Sequence, residues 1–166
     1  TQISAGGYHN CGIRADTSLV ECWGWNNDGR CTVSPNVQYT QISAGDYHTC
    51  GIRADTSLVE CWGRNIYGQS TASPNVQYTQ ISAGGWHTCG IRADTSLVEC
   101  WGSNYDGEAT VTPNVPYTQI SLGDSHTCGI RTDNSLVECW GAGAPGSSYT
   151  PGVPNFGQST VSPNVP

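Results

Sequence analysis

The sequence predicts an all-β fold of four equivalent antiparallel units, and three observations predict it. The motif TQISAG opens at Thr1, Thr40 and Thr79 and returns as TQISLG at Thr118, each start 39 residues after the last. A repeat of this length marks architectures in which neighbouring units share a core. Within each unit, short runs of branched and aromatic residues are broken by Gly, Pro, Asn and Asp, the punctuation of strands. Each unit also carries a cysteine pair at constant spacing: Cys11 with Cys22, Cys50 with Cys61, Cys89 with Cys100, and Cys128 with Cys139. The units run 1–39, 40–78, 79–117 and 118–166 in a single repeat domain. The last carries about eleven extra residues, mostly in a Gly/Pro/Ser stretch near 142–154 that reads as a surface loop.

The elements follow in order within unit 40–78. Gln41-Ile42-Ser43 is the first strand, ended by Gly45. His48 to Arg53 is the second, and Ser57 to Trp62 the third, ended by Gly63. A Gly- and Asn-rich turn and a short edge segment then lead to Ser73-Pro74-Asn75. No stretch shows helical periodicity.

The cysteines set the register. Folding the second and third strands about Asp55-Thr56 opposes residues whose numbers sum to 111, so Cys50 faces Cys61 and Ile52 faces Val59. Directly opposed positions suit a disulfide, and a unit burying little apolar surface alone gains from such a staple. His48 alternates onto the same side, so zinc ligation by His, Cys and Cys is the rival reading; it lacks tight cysteine spacing and a fourth ligand. Disulfides are expected, and with them an oxidising compartment. Cys31 has Ser70, Ala109 and Ser159 as counterparts and no partner in the pattern, so it is read as an intermolecular bridge or a free thiol.

Net charge is −7, with six basic residues, all Arg. Such a surface repels phosphate backbones and anionic membranes, which sets nucleic-acid binding and membrane docking aside. No apolar run approaches the roughly 20 residues of a membrane span. A start at Thr1 without a basic and apolar leader reads as a processed or excised segment, and no Asn-x-Ser/Thr sequon occurs.

The stretch His48 through Gly63, followed by Asn65, Gly68 and Gln69, resembles the repeat of the regulator-of-chromosome-condensation family, and the pattern returns in all four units. The cysteine-paired form looks like that of its extracellular and bacterial members. The resemblance implies a β-propeller of four-stranded blades. Two departures stand out: Asp55-Thr56-Ser57 replaces the usual Asp-Gly turn, and four units stand where the family closes a ring of about seven blades. Members range from a nuclear exchange factor to secreted enzyme inhibitors, so fold does not settle function. Acidity, cysteines and length disfavour the exchange role.

Candidate sites divide into repeating and variable positions. Trp23, Trp62, Trp101 and Trp140 recur once per unit and read as packing between blades. Arg14 with Glu21, Arg53 with Glu60, Arg92 with Glu99 and Arg131 with Glu138 read as solvated cross-strand pairs. His9, His48, His87 and His126 occupy near-identical contexts, whereas an enzyme needs one distinct constellation; no catalytic residue, metal or cofactor is assigned. Variable positions form two sets, Tyr8, Tyr47 and Trp86 after the first strand, and Trp25, Asn65, Tyr67 and Tyr105 after Trp-Gly. Aromatic and amide side chains on loops suit sugar or protein recognition, so these seven form a candidate binding rim. Asn104-x-Asp106-Gly107 reads as a turn in preference to a calcium loop. Ser34, Ser73, Thr112, Thr150 and Ser162 each precede Pro, marking turns and candidate O-glycan sites.

The expected function is therefore non-enzymatic and extracellular. Near-identical repeats and the unpartnered Cys31 point first to a structural or scaffold protein, self-associating into a surface filament. The alternative is a secreted lectin or protein-binding propeller, including the enzyme-inhibitor type, with another extracellular protein or a glycan as partner.

Overall fold

The computed structural model describes residues 1–143 and 157–161, so most of the expected insertion, with Thr150 and Ser162, lies outside the described residues. Twelve strands alternate with turns, and the described residues contain no helix. They are β1 (Gln2–Ala5), β2 (His9–Ile13), β3 (Val20–Gly24), β4 (Tyr39–Ala44), β5 (His48–Arg53) and β6 (Val59–Gly63) in the first two units. The other two units hold β7 (Tyr78–Ala83), β8 (His87–Arg92), β9 (Val98–Gly102), β10 (Tyr117–Leu122), β11 (His126–Arg131) and β12 (Val137–Gly141). Each consecutive trio is one antiparallel sheet, giving four propeller-type blades.

The register is the expected one. Cys50 opposes Cys61 and Ile52 opposes Val59, and the other blades set Cys11 opposite Cys22, Cys89 opposite Cys100, and Cys128 opposite Cys139. All four pairs are disulfides: Cys11 to Cys22, Cys50 to Cys61, Cys89 to Cys100 and Cys128 to Cys139, each with Cα atoms 4.1 Å apart. The zinc alternative falls because the two sulfurs of each pair are bonded to each other. Within the bridges burial is uneven. Cys11, Cys50 and Cys89 on the central strands are fully buried, whereas Cys22, Cys61, Cys100 and Cys139 on the outer strands are half-buried, since no further strand covers them. Cys31 is half-buried and forms no disulfide within the chain.

Three boundaries differ from expectation. The third strand starts at Val59, because Ser57 takes the left-handed conformation (φ 59°) that closes the hairpin tip in place of the usual glycine. The first strand starts at Tyr39, before the repeat boundary, with a bulge between Tyr39 and Gln41. A fourth strand does not form among the described residues. The segment after each third strand runs as turns and touches the ladder only through isolated bridges, Leu19 to Gln38, Leu58 to Gln77 and Leu97 to Pro116. Its polar groups are used elsewhere: the Arg30 and Gln69 carbonyls accept from Thr49 and Thr88 of the next blade.

Alternation gives each blade two faces. One face of the first blade carries the Cys11–Cys22 bridge, Ile13 and Val20, and it packs against Tyr39, Ile42 and Trp62 of the second. The same set recurs at the next two junctions, with Tyr78, Ile81 and Trp101, then Tyr117, Ile120 and Trp140. Gly51 lies under the Tyr39 ring, where a Cβ would come within 2.7 Å of it. Polar latches complete each junction. Gln41 accepts from the Ile81 amide and donates to the Ile81 carbonyl, and Ser43 accepts from the Ala83 amide. The tryptophans are junction residues as expected, except Trp23. It is 50% exposed and Ile3 is 72% exposed, because no described blade precedes the first. The inner ends of the four first strands converge around one opening lined by Ala5–Gly7, Ala44–Asp46, Ala83–Gly85 and Leu122–Asp124.

Candidate functional site: an aromatic rim at one blade edge

The two variable sets, distant in sequence, meet in space for a backbone reason. The residue after each Trp-Gly donates its amide to the carbonyl of the residue just before the second strand: Trp25 to Tyr8, Arg64 to Tyr47, Ser103 to Trp86 and Ala142 to Ser125. The glycine that ends each third strand permits this turn. Gly63 sits at φ 102° with a virtual Cβ 2.8 Å from the His48 Cα, a place no side chain fits.

Six of the seven expected rim residues form one unbroken aromatic chain. Tyr8 meets Trp25 edge-on at 5.4 Å between centroids and Tyr47 at 5.7 Å. Tyr47 stacks on Trp86 at 4.0 Å, Trp86 meets Tyr67 at 5.4 Å, and Tyr67 meets Tyr105 at 5.7 Å. Separations and tilts of this kind are favourable ring contacts. Two arginines thread the strip: Arg30 lies within 5.8 Å of Tyr8, Trp25 and Tyr47, and Arg64 lies over Tyr47 and Trp86. Sequence reading missed both arginines; their signal was a cation at a variable position between aromatic neighbours.

Asn65 stands apart from the chain. Its side chain accepts from the Ser70 amide and donates to Thr71, closing its own loop, as Asn104 does toward Ala109 and Thr110. The Asn104–Gly107 segment is thus a turn. Cys31 donates its amide to Asn26 in the same loop form, and burial pushes its thiol pKa up, away from the reactive thiolate.

The repeating histidines and glutamates make contacts at the blade junctions. His9, His48 and His87 are buried and bond through Nε2 to Thr49, Thr88 and Thr127 of the next blade, at 2.6, 2.6 and 2.8 Å. Each Thr hydroxyl donates onward to a carbonyl, so the imidazole must be the Nε2–H donor. Glu60, Glu99 and Glu138 are more than solvated partners of arginine: each also accepts from a junction tyrosine (Tyr39, Tyr78, Tyr117). Ser34, Ser73 and Thr112 donate to these same glutamates, so their hydroxyls, read as O-glycan sites, are engaged and half-buried.

Comparison with known proteins agrees with this architecture. The model of the regulator of chromosome condensation (RCC1) repeat matches residues 39–69 and 78–108. Two of the four units thus match the RCC1 repeat. Among solved structures it is similar to the ectodomain of the Physcomitrella patens receptor kinase CR4, with TM-score 0.75 and 34% identity, covering 86% of this chain and 39% of that one. It is similar also to the CRINKLY WD40 ectodomain of the Arabidopsis thaliana receptor kinase ACR4, with TM-score 0.72 and 30% identity, covering 87% and 51%. Prp20p of Saccharomyces cerevisiae shares the fold at 16% identity and TM-score 0.68, covering 85% and 44%. The chain thus spans about half the length of these proteins or less. No curated protein matches it in sequence. The matched segments contain the second and third strands of the second and third blades with His48 and His87; the rim is where the copies diverge.

Proposed function

We propose that this chain is an extracellular, non-catalytic recognition module that binds another protein through its aromatic rim. The observation that carries the reading is the unbroken row from Trp25 to Tyr105, held by three successive blades on one edge. Rigid aromatic side chains with adjacent arginines are what interface hot spots are made of. Four hairpin disulfides and the likeness to two receptor-kinase ectodomains support the compartment. The histidines are occupied as latches, which supports a role other than acid–base catalysis.

The test is a binding screen of secreted proteins and glycans with wild type and Trp86→Ser. Serine stands at the equivalent position of the fourth blade, Ser125, so the substitution is one the fold accommodates. A protein ligand whose affinity falls about thirtyfold or more in the variant is expected for a hot-spot residue. Ligands bound equally by both forms would remove the rim from the function.

Assembly through the blade ends is the second reading, favoured by the exposure of Ile3 and Trp23, whose counterparts are junction residues. Concentration-independent monomers in sedimentation, with Trp23→Ser unchanged, would discard it.

A further inference from the structure

The rim contains two places built on one plan with opposite charge. In the first unit the guanidinium of Arg30 is enclosed by Tyr8, Trp25 and Tyr47 and paired with Asp28. The fold thus builds an aromatic cage with a carboxylate at its edge and fills it with its own cation. In the third unit the counterpart of Asp28 is Asp106, but the counterpart of Arg30 is Glu108. Ser103 and Ser125 stand where Trp25 and Tyr47 close the first cage. The result is a cavity of about 210 Å³ lined by the aromatic residues Tyr67, Trp86 and Tyr105 and the acidic residues Asp106, Glu108 and Asp124.

Glu108 is 3% exposed, and its oxygens accept from Ser103 Oγ at 2.6 Å and from the Asp106 amide at 2.8 Å. No arginine lines the cavity, and the chain has no lysine. A buried carboxylate without a cation is costly unless something supplies the charge. Arg64, 5.2 Å from the Trp86 centroid, shows that this ring already accepts a cation.

Building on the reading of the rim as a protein-binding surface, we propose that this cavity is a cage for an organic cation, namely the basic side chain of a protein partner. Aromatic walls supply the cation–π attraction and the carboxylates the counter-charge, as Tyr8, Trp25 and Asp28 do for Arg30.

The test uses capped lysine as probe and capped norleucine as its neutral isostere, titrated against the intact chain. The readout is the NMR shift of the Asp106 amide, which donates to Glu108. Saturable shifts with lysine alone are expected. Glu108→Gln should weaken them about tenfold. That variant isolates charge, because glutamine is the natural residue at position 69 and accepts from the Tyr67 amide in the same way. Equal titration by norleucine, or lysine affinity unchanged in Glu108→Gln, overturns the cage. If the cage fails while Trp86→Ser still loses its protein ligand, the rim stands without it; if lysine binds as expected while Trp86→Ser leaves every protein ligand unaffected, the cage stands and the rim reading falls.

Discussion

Acidification to about pH 5 should loosen the junctions between blades, and the cause is the row of inner histidines. His48 and His87 are fully enclosed, give Nε2–H to a threonine of the next blade, and keep Nδ1 buried without a partner. A second proton would place a charge and an unmatched donor at that nitrogen. Burial therefore holds their pKa values down, to about 3 for His48 and about 4 for His87, with neighbouring histidines adding to the effect. The unfolded chain, with histidine near 6.5, takes up protons that the folded chain refuses, so stability falls as pH drops below about 6.5. Between about pH 7.5 and pH 5 each histidine should lose about 2 kcal/mol, or about 4 kcal/mol for the pair. His9, held near 4 by burial and by Arg30, adds in the same direction. Asp46 opposes it, since burial raises its pKa and makes its protonation favourable in the fold. Asp55 and Asp94, held near 2 by Arg53 and Arg92, stay ionised across this window and leave it unchanged. Urea unfolding with the disulfides intact measures the difference, and His48→Gln should flatten the slope by about one proton. A midpoint independent of pH across this range would refute the assignment of the histidines as neutral latches.

Two further substitutions probe the architecture. Trp62→Ala should cost about 3–5 kcal/mol, whereas Trp23→Ala should cost under about 1 kcal/mol, since the same residue is 9% exposed in the second blade and 50% in the first. Comparable losses in denaturant would show that both rings are covered in solution. Replacing Cys50 and Cys61 together by alanine should cost about 3 kcal/mol, less any relief of strain, with unfolding read by circular dichroism.

The strands and their register were legible because they obey a period of two, tied to cysteines that can bond only when opposed. His48 to Arg53 was placed to the residue, and Cys50 opposite Cys61, on that logic alone. The missing fourth strand was not legible. Residues 64–77 contain strand-compatible side chains, yet Thr88 and Trp101 draw the Gln69 carbonyl toward the next blade and out of any ladder. Nothing local announces a competition decided by a neighbour 19 or 32 residues away.

The rim divides along the same line. That Tyr8, Tyr47, Trp86, Trp25, Tyr67 and Tyr105 differ among otherwise copied units was visible in the sequence, and only the Trp25-to-Tyr8 type of backbone bond makes one surface of them. Asn65 lies outside that aromatic row, an amide that varies little from loop to loop and closes its own loop. The informative residues were those whose charge changes at a fixed position, Arg30, Gln69 and Glu108. All three lie buried, so drift on a solvated surface does not account for the change. A buried site that keeps its backbone role while passing from cation to amide to anion has neighbours that must change with it. Those neighbours are the aromatics and serines that decide whether a cage is filled from within or left open.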